Sequence, residues 1–328
     1  MKKEYIILVV VIAGLCAYLA LKKDNQINYD LPTLATVETT AVDQIHITGG
    51  DTPLTLSKTD KGWTVSDKAY PAASAAVNDV LDTVKTLNLS ALVSESGNLV
   101  RYDLDPDNAL YARVLANGKV VREFTIGKTA PSGNHTFVML KNDTRVFQAD
   151  NSFRDQFDKS VDEFRDKEVL RLKPADINTI FLEKNGVFQT LTRNALEKDL
   201  PEDQLQDQAQ DKKAAKTPAI QWVTADGTPA DQTAVQDLLA SLSRLECQNY
   251  KDDAGAAALK KQTPTCKISL ENHQTFGLNI FSETQGDGVA ATSSGSPYAF
   301  DLASYRAEDI VSYVDQILGL KPQEKPSD

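Results

Sequence analysis

Gly62-Trp63-Thr64-Val65, then Tyr70-Pro71-Ala72 and Ala75–Leu87, read in order as a strand, a proline-bearing turn and a helix. Trp63, Thr64 and Val65 are aromatic or β-branched and suit a pleated surface. The Lys61-Gly62 turn pairs them with Leu54–Ser57 as a hairpin. Over Ala75–Leu87 the apolar positions Val77, Leu81 and Val84 recur at helical spacing. A hairpin that runs into a helix predicts antiparallel strands packed on helices. A doubly wound parallel sheet would need regular strand–helix alternation instead.

Working outward, an alternating strand at Gln44–Thr48 precedes the hairpin and another at Tyr111–Leu115 follows the helix. The Asn117-Gly118 turn leads to Glu123–Ile126, and an aromatic-bearing helix near Phe153–Phe164 ends the series. The same order recurs downstream. Thr179–Leu182, the Asn185-Gly186 turn and Phe188–Leu191 form a hairpin, followed by Trp222-Val223, Pro229-Ala230 and a helix Gln232–Leu245 with Val235, Leu239 and Leu242. Strands Lys267–Leu270 and Phe276–Phe281 and a helix at Ala307–Leu318 complete it. The fold class expected is therefore α+β: an N-terminal transmembrane helix, then two similar lobes, residues 38–172 and 173–320, related by internal duplication. Trp63 and Trp222 take matching structural positions, each filling the space between a hairpin and the next helix. Residues 195–217 are rich in Gln, Asp, Lys and Ala, and read as an exposed insertion of the second lobe. Residues 321–328 form a polar tail.

At the N-terminus, Lys2 and Lys3 precede an apolar run, Tyr5–Leu21, closed by Lys22 and Lys23. As a helix the run spans roughly 25 Å, close to a hydrocarbon core of about 30 Å. Small residues are badly placed for signal cleavage: Tyr18 stands three before a break after Ala20, and Leu15 three before one after Ala17. A lipidated Cys16 would follow Leu15 rather than a small residue. A retained single-pass anchor (residues 1–23) is the better reading than a cleaved signal, with residues 24–37 as a polar tether and the body exported. The whole chain carries a formal net charge of -11. That argues against nucleic acid as a partner, which needs a basic face.

Catalytic signatures are missing. There is no glycine-rich phosphate loop, no Gly-x-Ser-x-Gly and no His-Glu-x-x-His. His46, His135 and His273 are scattered. Asp103-Leu104-Asp105-Pro106-Asp107-Asn108 resembles the opening of a calcium loop, but Asn108 stands where Gly is needed and Val114 where Glu is needed. A turn with solvated acids is expected there. No catalytic, cofactor-binding or metal-binding residue is assigned, and no cofactor is expected. Cys247 and Cys266 lie at a helix end and a following strand start, and in an exported body are expected to form a disulfide. By loop closure it would contribute about 3 kcal/mol.

Trp63 with Tyr70-Pro71-Ala72, the turn Tyr102-Asp103-Leu104-Asp105-Pro106, Ile126-Gly127 with Gly133, and Phe164-Arg165-Asp166-Lys167 occur in this order. The set resembles the bacterial domain-of-unknown-function family 4340 over most of Val37–Leu172. Where members commonly show Tyr-Gly-Leu, this chain has Tyr102-Asp103-Leu104. The resemblance implies a membrane-anchored periplasmic protein, often duplicated and often encoded beside ABC-type permeases and gliding-motility-like transport components. It carries no catalytic residues over. The function expected is a non-catalytic binding or assembly module of the bacterial inner membrane, single-pass, with its body in the periplasm. Its partners would be the lipid bilayer and a membrane protein such as an ABC-type permease. The alternative is an independent periplasmic scaffold or sensor that binds glycan or another envelope protein. A hydrolase with a noncontiguous site is the weakest reading.

Overall fold

The computed structural model describes residues 11–13, 30–50, 53–196, 219–282 and 288–320, and contains two compact units, Met1–Phe164 and Arg165–Asp328. Both are mixed α+β, with antiparallel sheets and few helices. The first unit runs β1 (Val42–Thr48), β2 (Leu54–Thr59), β3 (Gly62–Val65), β4 (Tyr70–Pro71), α1 (Ser74–Thr86), β5 (Leu89–Ser94), β6 (Leu110–Ala116), β7 (Lys119–Thr129), β8 (His135–Leu140) and β9 (Val146–Asp150). Short helices α2 (Arg154–Phe157) and α3 (Val161–Phe164) close it. Its nine strands form one sheet in the order β4-β3-β2-β1-β6-β7-β8-β9-β5.

The second unit runs β10 (Glu168–Arg171), β11 (Thr179–Lys184), β12 (Val187–Leu196), β13 (Ala219–Thr224), α4 (Gln232–Ser243), β14 (Arg244–Glu246), β15 (Asn249–Tyr250) and α5 (Asp253–Leu259). It ends with β16 (Cys266–Glu271), β17 (Thr275–Ile280), β18 (Gly288–Ser293), β19 (Ser296–Ala303) and α6 (Ser304–Leu318). Its eight-stranded sheet has the order β13-β12-β11-β16-β17-β18-β19-β15, and β10 pairs separately with β14.

Laid side by side, the two strand orders agree from β3 and β13 onward, an isolated Val223–Pro229 bridge standing where the first unit has β4, and so do details that nothing in a generic α+β fold requires. Ala72 N–H donates to the Trp63 carbonyl at 2.9 Å, and Ala230 N–H to the Trp222 carbonyl at 3.0 Å. Each bond folds the chain back just before its helix. Trp63 lies opposite Lys58 in the ladder and Trp222 opposite Arg193. Each of these cations reaches back to a short 3-10 turn just before β1 or β11, Lys58 to the Thr40 carbonyl and Arg193 to the Ala175 carbonyl. Helix α1 buries Ala76, Val77, Val80, Leu81 and Val84, and α4 buries Ala234, Val235, Leu238, Leu239 and Leu242 at the same spacing. Trp222 is buried in its core, while Trp63 is half-buried against the first. Asp231 caps α4 through the amides of Thr233 and Ala234, whereas Ala73 in the same place gives α1 no side-chain cap.

Several expectations are corrected. The first unit ends at Phe164, not at residue 172. Val169, Leu170 and Leu172 are buried in the second core, where Leu170 pairs with Leu245. The tether expected over residues 24–37 is docked in part. Leu31, Leu34 and Val37 all pack on the first core. The Arg122 side chain, itself buried, bonds the Ala35 carbonyl and fastens this strap. The anchor Tyr5–Leu21, with Cys16 inside it, lies outside the described residues except for Val11–Ala13, which are helical and exposed. Among the described residues no helix is long and apolar enough to cross a membrane. Of the insertion expected over residues 195–217, residues 195 and 196 belong to β12 and the rest lies outside the described residues, as does the tail; β12 and β13 are hairpin partners.

Cys247 and Cys266 are not joined in a disulfide. The expectation joined a helix end directly to the next strand. In the structure β14 lies between that helix and Cys247, β15 and α5 lie between the two cysteines, and each sulfur is buried in the second core. By ladder register Cys266 opposite Ile280 takes the place that Leu110 opposite Ile126 holds in the first unit. It is a core residue with a small apolar role.

Two predictions follow from this packing. Lys184 on β11 and Asp315 on α6 form an ion pair at 2.6 Å with both side chains largely buried. Asp315→Ala leaves an ammonium without its counter-charge, and should destabilise the second unit by about 3–5 kcal/mol. Lys184→Met with Asp315→Leu should restore most of it. A urea titration followed by unit-specific proteolysis decides; equal loss in single and double variants would count against the pair.

The other prediction is alkaline. Burial pushes the Cys266 thiol up to about 12, with Asp315 adding to the effect and Lys184 opposing it. The folded chain therefore holds this proton more tightly than the unfolded chain. The stability this brings is complete below the ordinary thiol value of about 8.5 and drains away as pH rises toward 12, by about 1.4 kcal/mol per pH unit. Burial also raises the Tyr250 phenol, with a further push from Cys247, so some alkaline sensitivity persists without Cys266. Urea midpoints from pH 7 to 10.5 should fall in the native chain and fall less steeply in Cys266→Ala. Parallel slopes would refute the assignment.

Candidate functional site

Strand alternation sends successive side chains to opposite faces of the first sheet. Ile45 and Ile47 of β1, Ala112 and Val114 of β6, and Phe124 and Ile126 of β7 turn inward with α1 and are fully or nearly fully buried. His46, Thr48, Tyr111, Arg113, Glu123 and Thr125 therefore occupy the other face. Part of that face is covered. Leu99, Tyr102 and Leu104 pack with Phe137, Met139 and Val146 into a second, small core over β8 and β9. The cover lies close to the strand beneath: a Cβ on Gly127 would come within 2.2 Å of the Tyr102 carbonyl. Asp103 adopts φ +52° and holds a left-handed turn there.

What remains open is a cleft of about 1080 Å³. Its floor is a cross-strand lattice in which His46 faces Arg113 and Thr48 faces Tyr111. Arg113 faces Glu123, Tyr111 faces Thr125, and Thr125 faces Met139. Gly97 and Leu99 line one side, and the turn Lys141–Thr144 the other. Lys141 ion-pairs Glu123 at 2.8 Å. Asp143 accepts Arg145 at 2.7 Å, which holds its carboxyl below the usual range mainly through that hydrogen bond. Both ring nitrogens of His46 are engaged, Nδ1 with Thr55 Oγ1 at 3.1 Å and Nε2 with Gln44 Oε1 at 3.2 Å. The imidazole is held by neighbours rather than aimed at a nucleophile. The chemistry available is hydrogen bonding, charge and aromatic contact.

The other residues singled out from sequence do not converge on this site. His135 meets Ser132 and lies 3.9 Å from Asp150, and His273 is exposed in a turn. Asp103 pairs with Lys128 at 3.4 Å, and Asp105 is buried with one oxygen on Asn108 at 2.8 Å. Among the described residues no group of three or more potential ligands could hold a metal. Cys247 and Cys266 sit in the second core, and Trp63 and Trp222 on the hairpins of their own units.

Sequence reasoning passed over Arg113, Tyr111 and Glu123. Their signal was the alternation in Leu110–Ala116, whose outward members are a tyrosine and an arginine rather than small polar residues. The second unit has no counterpart of this lattice. Matching registers put Phe181, Ser269 and Gly277 where the first has His46, Arg113 and Glu123.

Residues 63–265 match the family model described as Domain of unknown function (DUF4340). No curated protein and no solved structure matches the chain. The matched region begins at Trp63 in β3, leaving β1 and β2 outside, and takes in the other strands of the cleft-bearing sheet and the second hairpin and helix as far as Thr265, which is more than half of the chain, and the chain belongs to the DUF4340 family.

Proposed function

We propose that this protein is a non-catalytic, membrane-anchored module built from two copies of one α+β unit. Its body lies on the periplasmic side of a bacterial inner membrane, and it serves as an accessory subunit of an ABC-type envelope transport complex. The cleft on the first sheet is the observation that carries the binding part of this reading. It is a broad polar and aromatic surface whose one histidine is held at both nitrogens and whose one floor carboxylate is already ion-paired. Such a surface recognises a partner without supplying a general base. Family membership and the apolar run Tyr5–Leu21 support the rest, the first by what relatives are commonly encoded beside and the second by length and flanking lysines.

The decisive experiment purifies the full chain, tagged at its C-terminus, from native membranes in mild detergent. An identified permease and its ATPase should accompany it in fixed ratio. Purification alone, or with a soluble envelope protein or glycan only, would favour the independent scaffold instead. In the same membranes the chain should resist carbonate washing. A soluble form beginning near residue 18 or 21 would overturn the retained anchor.

A further inference from the structure

Resting on the reading of the cleft as a binding face, we propose that its occupant is an extended, carboxylate-bearing polypeptide segment of a partner protein. The charges around the cleft cancel in pairs with one exception. Glu123 is taken by Lys141 at 2.8 Å and Asp143 by Arg145 at 2.7 Å. Arg113, exposed at the centre of the floor, has no side-chain hydrogen-bond or ion-pair partner among the described residues. Glu123 stands directly opposite it in register but bonds to Lys141. In a chain of net charge -11, an uncompensated guanidinium inside a cleft is where an incoming anion finds least repulsion. The planar fork of arginine matches a carboxylate with two parallel hydrogen bonds.

The neighbours of Arg113 select among anions. A phosphate or a lipid headgroup carries more charge and is best held by several free cations, and only one is free here. Tyr111, Leu99 and Met139 offer apolar surface around that single charge. One carboxylate flanked by apolar side chains fits this pattern, as in a peptide with an aliphatic residue two positions before and two positions after an acidic one. An extended strand laid over the sheet presents every second side chain downward, so an acidic residue and the aliphatic residues two positions away from it can meet Arg113 and Met139 in turn. At about 1080 Å³ the cleft has room for several residues.

The test uses the full chain in detergent and a labelled Glu–Leu peptide, Leu-Ser-Glu-Ser repeated so that Leu and Glu share one face when extended, read by fluorescence anisotropy. Its Gln–Leu counterpart, vesicles containing phosphatidylglycerol and an acidic oligosaccharide serve as competitors. The Glu–Leu peptide should bind, weaken with added salt, and outcompete the others. Arg113→Ala should weaken it about tenfold or more, the range for losing a charged hydrogen-bond pair. Arg171→Ala, an exposed arginine of the second unit, should leave it unchanged. Equal binding of the Gln–Leu peptide, an unchanged Arg113→Ala, no peptide binding, or displacement only by vesicles or oligosaccharide would each overturn the proposal. Peptide failure alongside a copurifying permease would sink this inference and spare the transport reading. Peptide binding without the permease would do the reverse.

Discussion

In each unit one backbone hydrogen bond governs what the rest of the chain can do. The amide before the helix donates to a tryptophan carbonyl, Ala72 to Trp63 and Ala230 to Trp222. Through it the chain leaves an edge hairpin and lays its helix across the sheet, so that Val77, Leu81 and Val84, or Val235, Leu239 and Leu242, meet the inward side chains of the strands. Burial of those aliphatic groups, at about 25 cal/mol per Å² removed from water, supplies the main driving force of each core. A helix committed to one face leaves the opposite face to other uses. In the first unit the loop around Leu99–Leu104 covers some of it, and the remainder is the cleft.

The two units show how one frame carries different surfaces. Inward positions are interchangeable within the class of apolar side chains: Leu110 answers to Cys266, Phe124 to Leu278, Val114 to Leu270. Outward positions are under no such packing constraint. There the first unit holds His46, Arg113 and Glu123, and the second Phe181, Ser269 and Gly277. The second unit has instead put a charge pair inside, Lys184 with Asp315, which ties its C-terminal helix to the middle of its sheet. That pair holds one helix register, since a slip would leave both charges buried without partners.

Local signals made much of this legible. The Lys61-Gly62 and Asn185-Gly186 turns, the paired tryptophans and the helical spacing of Val77, Leu81 and Val84 depend on neighbours close in sequence. What escaped reading depends on contacts between distant segments. Strand β5 pairs with β9 at the sheet edge, and β10 leaves its predecessor to pair with β14. Cys247 and Cys266 looked adjacent because β15 and α5, which lie between them, carry weak signals. The cleft was hidden for a different reason. Its residues come from separate strands, and their juxtaposition is a matter of register, which no single stretch declares.

The docked strap sets a length. With Leu31 already on the first core and the apolar run ending at Leu21, only residues 22–30 separate them. Fully extended, nine residues reach about 30 Å. If the run is held in a bilayer as proposed, the first unit is leashed within roughly its own diameter of the lipid surface. A partner in the same membrane then meets the cleft by diffusion in two dimensions, at an effective concentration in the millimolar range for a short tether. An individual contact at the cleft can be weak and still be occupied most of the time, and a partner free in solution would lack that advantage.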